Sequence, residues 1–134
     1  MDFSSEIERI QGLPVWDEDR RRELEALGSV LGKPNYLKEL WSVFEDSWND
    51  LLGEWSAAIQ SQDKTKLRAL AHRYKGSTGS VGTLKLYEYF ALIQKMLDLS
   101  DLREAGADMQ AVWAACQKAE AVVAEVKASL SGKR

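Results

Sequence analysis

Apolar residues recur along most of this chain at alternating spacings of three and four, the period of a helix with one buried face. The clearest run covers 35–61, where Leu37, Leu40, Trp41, Phe44, Trp48, Leu51, Leu52, Trp55 and Ile59 keep the pattern. Trp41, Trp48 and Trp55 are seven apart and stack along one stripe. At helical spacing such a row reads as bundle core rather than as a ligand-stacking surface. Asp63 is placed to cap a following helix with the stripe Leu67, Leu70, Tyr74 and Val81, ending or bending near Gly79–Gly82. The next helix, from about Thr83 to Leu99, is apolar over much of its circumference and should pack on more than one side. After the loop SDLREAG, a last helix over about 105–130 carries Met109, Val112, Trp113, Cys116, Ala119, Val123, Val126 and Leu130.

The start of the chain is less regular. Asp17 can cap a shorter helix with Leu24, Leu27 and Leu31 on its apolar side, broken by Gly32-Lys33-Pro34. Ile7, Ile10 and Leu13 could pack as one short amphipathic turn that Gly12 and Pro14 stop, so residues 1–14 read either as the end of a linker or as a small extra helix packed on the bundle. No segment alternates with period two, so no strand is expected. The pattern predicts an all-α fold: an antiparallel up-down four-helix bundle with a short additional N-terminal helix. The bundle is assigned to 15–131, between an N-terminal tail or linker (1–14) and a C-terminal tail (132–134).

Composition narrows this picture. A chain of 134 residues suits one domain, and 45% hydrophobic with 29% charged residues can build a core, unlike a disordered chain. Both prolines, Pro14 and Pro34, lie in the first quarter, which favours long helices afterwards. A net charge of -3 argues against a nucleic-acid binder. The single cysteine, Cys116, excludes an intrachain disulfide. No apolar run reaches the ~18 residues of a membrane span, and the acidic MDFSSEIERI is unlike a signal peptide. A soluble, cytoplasmic domain is expected, either free-standing or cut from a longer membrane-anchored protein.

Candidate chemistry gathers on the helix after Asp63. With His72, the sole histidine, set at zero on a wheel of about 100° per residue, the stripe Leu67, Leu70, Tyr74, Val81 falls within about 40° of the opposite side. Arg68, Lys75, Gly76 and Gly79 fall within about 60° of His72. The histidine thus points away from the core, among cations and positions without side chains. Two glycines in a helix cost about 1 kcal/mol each relative to alanine, which makes sense where another molecule must approach the backbone. A solvated imidazole is a good nucleophile near neutral pH, and Lys75 and Arg68 could offset the charge of a phosphoryl group. No carboxylate stands at helical spacing to orient His72 as a general base. There is no second histidine for a metal pair, and no GxxxxGK[ST] loop for a nucleotide.

The segment Leu70-Ala71-His72-Arg73-Tyr74-Lys75-Gly76-Ser77-Thr78-Gly79-Ser80-Val81-Gly82 resembles the signature of histidine-containing phosphotransfer (HPt) domains, A-H-x-L-K-G-S with a glycine five residues after the serine. Ala71, His72, Lys75, Gly76, Ser77 and Gly82 match in register, and Asp63, nine residues before the histidine, also fits. The resemblance covers roughly 13–130. Tyr74 stands where leucine is usual, Thr83 where alanine is common, and Gln94 where glutamate is frequent.

The resemblance implies that His72 accepts a phosphoryl group through Nε2 from a receiver aspartate and passes it to another, in a multistep two-component phosphorelay. It implies that Lys75 supports the phosphoryl group and that Gly76 leaves room for receiver loops. Ser77 holds the helix through local hydrogen bonds, and Arg68, Gly76, Ser77 and Gly79 form the docking face. The domain would need no cofactor or metal of its own, the Mg²⁺ residing on the receiver. It would act as a monomer without kinase activity, its partners being response-regulator receiver domains and a hybrid sensor histidine kinase, of which it could be the C-terminal module. The competing reading is an adaptor that keeps the bundle but transfers nothing, which the joint presence of His72, Lys75 and Gly76 disfavours. A purely structural bundle is a third.

Overall fold

The computed structural model describes residues 3–99 and 105–130, and all regular structure among them is helical. In chain order the helices are α1 (Ser4–Gln11), α2 (Glu18–Val30), α3 (Tyr36–Ser61), α4 (Lys64–Val81), α5 (Leu84–Leu99) and α6 (Ala105–Leu130). The linker SDLREAG falls largely outside the described residues, as do the Met109 side chain and the tail 132–134.

The last four helices form the expected antiparallel bundle. Each packs on the next, and α6 closes back on α3. Ion pairs mark the register: Lys66–Glu54 joins α4 to α3, Arg68–Asp98 α4 to α5, Lys85–Glu125 α5 to α6, and Lys127–Glu45 α6 to α3. The tryptophan stripe of α3 is buried, as its spacing requires. Phe90 sits at the centre, edge-on to Trp48 and Trp55 with ring centroids 6.2 and 6.4 Å away, and 6.1 Å from Tyr74. The all-round apolar character of α5 is explained by its three neighbours, α4, α6 and α1. Cys116 is buried in α6, and burial, reinforced by the nearby Glu120 charge, pushes its thiol up to about 12, so it stays neutral.

One feature of the N-terminal third differs from the sequence reading. On α2 only Leu24 and Gly28 face the core, while Leu27 and Leu31 remain 44% and 51% exposed. The reason is Gly28. A Cβ there would lie 2.7 Å from Tyr36 Cβ and 2.8 Å from the Lys33 carbonyl, so the glycine lets α2 settle tightly on the start of α3. That contact turns the two leucines toward the flank. Ahead of α2, α1 docks on the bundle as a small extra helix. Ile10 of α1 is fully buried, and Arg9–Glu88 and Glu6–Lys95 pairs tie α1 to α5. The following residues are also held: Trp16 Nε1 donates to Ser129 Oγ at 3.0 Å, and Asp17 N donates to the Gly82 carbonyl at 2.8 Å.

Gly82 ends α4 in the left-handed region at φ 88°. A Cβ at this position would meet Arg20 Cγ at 2.9 Å. Gly82→Ala is therefore expected to cost about 1–2 kcal/mol of stability, from left-handed strain. Urea unfolding checks this, and an unchanged midpoint would contradict it.

Candidate functional site

The site is built on α4, and local capping fixes that helix at both ends. Asp63 Oδ1 accepts from Lys66 N at 3.0 Å at the start. At the other end the buried Thr78 and Thr83 hold the turn: Thr78 Oγ1 donates to the Tyr74 carbonyl at 2.8 Å, and Thr83 Oγ1 to the Thr78 carbonyl at 2.9 Å. Sequence reading gave Thr78 no part. Its signal was a polar residue two positions past the Gly76 that opens the outer face, on the helix's inner side. The inner face is Leu67, Leu70, Ala71, Tyr74, Thr78 and Val81. Tyr74 finds a polar exit, its hydroxyl donating to Ser47 Oγ at 3.3 Å.

His72 lies mid-helix on the opposite, exposed face. On the flank toward α5, Arg68 Nε donates to Asp98 Oδ1 at 3.1 Å and its Nη2 to the Leu97 carbonyl at 3.4 Å. Lys75 Nζ lies 5.8 Å from the centre of the Tyr87 ring, and no carboxylate among the described residues pairs with it. Gly79 belongs to the same flank. A Cβ there would come within 3.1 Å of the Tyr87 ring, so this glycine admits the tyrosine of α5. Gly76 is different: nothing lies within 4 Å of a Cβ built on it. Ser77 Oγ donates to the Arg73 carbonyl at 3.2 Å, a bond within the helix. The structure thus places Arg68, Lys75, Gly76 and Gly79 around His72, and three of them, Arg68, Lys75 and Gly79, meet residues of α5.

Beside Lys75 runs a shallow groove of about 450 Å³, lined also by Ala91, Gln94, Lys95 and Asp98. Both carboxylate oxygens of Glu6 hold Lys95 Nζ at 3.1 Å. The register shown by Arg68–Asp98 and Gly79–Tyr87 puts Gln94 across from His72. Gln94 Oε1 is buried and has no hydrogen-bond partner among the described residues. An acceptor left open in this way is suited to a donor arriving in the groove.

On the other flank, toward α3 and α2, the exposed surface is apolar in places. Val43, 71% exposed, stands one turn before Ser47, the partner of Tyr74. Leu27 and Leu31 share the face of α2 from which Arg20 Nε donates to the Ser80 carbonyl of α4 at 3.1 Å.

Residues 39–131 match the family model of the Hpt domain, a span that contains His72 and covers more than half of the chain. The chain belongs to the Hpt domain family. No curated protein matches it, and no solved structure does. Hpt domains are histidine phosphotransfer modules of two-component signalling rather than kinases, and they interact with the receiver domains of response regulators. The match to the Hpt model runs from the first turn of α3 to the end of α6, leaving α1 and α2 outside it. No described helix of this Hpt domain is long and apolar enough to cross a membrane.

Proposed function

We propose that this Hpt domain relays a phosphoryl group between receiver aspartates in a multistep phosphorelay, carrying it on His72. The observation that supports this most is the surface around the sole histidine: exposed, beside a lysine with no carboxylate partner among the described residues, next to a glycine over open space. In the transfer, the Nε2 lone pair attacks phosphorus and an N–P bond forms. The P–O bond to the receiver aspartate breaks, and the carboxylate leaves with the electron pair. The ring's surplus proton passes to water. The reverse sequence delivers the group to a second receiver.

Side chains on a helix lean toward its N-terminus. Lys75, one turn after His72, therefore leans toward the phosphoryl position and supports its charge. Mg²⁺ is assigned to the receiver. Gly76 clears the approach of the receiver backbone, and Ser77 keeps the helix in order beneath it. The receiver is placed over Gly76 and the α3 flank, where Val43, Leu27 and Leu31 offer apolar surface to bury.

The test is a profile of transfer from phosphorylated receivers onto this chain. An acid-labile, base-stable phosphoryl label is expected from at least one receiver. Receiver binding without transfer, unaltered by His72→Ala, would mark an adaptor instead. Gly76→Gln separates docking from folding. A helical glycine replaced where there is space should stabilise the domain by up to about 1 kcal/mol. Transfer from a receiver should nevertheless fall by about tenfold or more, since the new side chain fills the approach. Equal transfer by variant and wild type would remove Gly76 from the docking face.

A further inference from the structure

We propose that Asp98 sets how firmly a phosphoryl group is held on His72, by competing with that group for Arg68. The inference rests on His72 being the phosphoryl acceptor and concerns what tunes it. Arg68 is one turn before His72 on the same face, and the His72 side chain leans toward that turn. A group on the imidazole would therefore extend toward Arg68 as a second cation beside Lys75. The Arg68 guanidinium is already engaged, through Nε with Asp98 Oδ1 at 3.1 Å and through Nη2 with the Leu97 carbonyl at 3.4 Å.

That engagement is easily exchanged. The Arg68 and Asp98 side chains are 44% and 56% exposed, and exposed ion pairs are weakly held. A phosphoryl group brings close to two negative charges and three acceptor oxygens, a stronger partner for a planar guanidinium than one exposed carboxylate. The other nearby cations differ. Lys95 is held by both oxygens of Glu6, and Lys75 lies over the Tyr87 ring with no carboxylate partner among the described residues. Arg68 alone, among the described cations of this face, has a partner on α5 that it can trade for the phosphoryl group. The trade leaves Asp98 unpaired, so it weakens the hold on the phosphoryl group. A relay intermediate that must give the group away gains from that weakening.

The test uses potassium phosphoramidate, which needs no receiver. His72 Nε2 forms its N–P bond as the phosphoramidate N–P bond breaks, and ammonia leaves with the electron pair and takes up a proton. At fixed phosphoramidate and ammonium, ³¹P NMR gives the equilibrium constant for wild type, Asp98→Asn, Arg68→Gln and the double variant. Asp98→Asn is expected to raise the constant by about three- to tenfold, and Arg68→Gln to lower it by a similar factor. Most of the Asp98→Asn gain should vanish in the Arg68→Gln background. The Arg68 Nε–H resonance should shift on phosphorylation of the wild type. An unchanged constant in Asp98→Asn, or an equal gain in both backgrounds, overturns the proposal. These outcomes do not depend on receivers, so a failed receiver profile would count against the relay alone.

Discussion

Replacing His72 with glutamine is expected to reduce phosphoryl acceptance by at least about a hundredfold, to the background of the assay. Nothing else in the chain can stand in. His72 is the only histidine, and the one thiol, Cys116, is buried and neutral. The substitution should leave the fold intact, because the side chain is exposed on the outer face of α4. Surface changes of this kind stay within about 0.5 kcal/mol. Phosphorylated receivers incubated with wild type and variant supply the measurement, with a melting curve as control. A variant labelled as strongly as wild type would end the assignment of His72.

Phe90→Ala should produce the largest loss of stability, about 3–5 kcal/mol. Phe90 is fully buried and is the ring against which Trp48, Trp55 and Tyr74 all pack. Removing it opens a cavity where α3, α4 and α5 meet, and aromatic neighbours cannot collapse into it without leaving their rotamers. Domains have only about 5–15 kcal/mol to lose, so the variant should be close to unfolding at ordinary temperature. Urea titration followed by tryptophan fluorescence reads the loss, and a change below about 1 kcal/mol would show that the core is not organised around this ring. The effect also reaches the site, since Tyr74 lies two residues from His72 and its ring anchors the inner face of α4.

Much of this was legible in the sequence. The three-and-four spacing of α3 and the tryptophan row fixed both the helix and its buried face, because burial of one face is what that period encodes. The outward position of His72 followed from the same arithmetic applied to α4. What could not be read depends on partners distant in sequence. The pairing of Arg68 was hidden because Asp98 lies thirty residues later on another helix, at a register that spacing does not encode. Gly79 looked like clearance for a partner, but the ring that fills its space comes from α5. On α2 the periodic leucines suggested one face and the close approach at Gly28 selected another. In the first helix, Gly12 and Pro14 correctly marked an end. What was not visible was that Ile10 and two ion pairs would secure so short an element.

The order in which the helices pack bears on how quickly the chain folds. In the bundle α3 meets α4, α4 meets α5 and α5 meets α6, so most contacts join neighbours in sequence. Such local topologies pay little loop-closure entropy and fold in microseconds to milliseconds. A few contacts break the rule: the closure of α6 on α3, the docking of α1 on α5, and the Trp16–Ser129 bond spanning 113 positions. These should form last. A hairpin of α4 and α5, carrying His72 with Arg68 and Asp98, can then assemble early, and the ends of the chain are fastened over a site already in place.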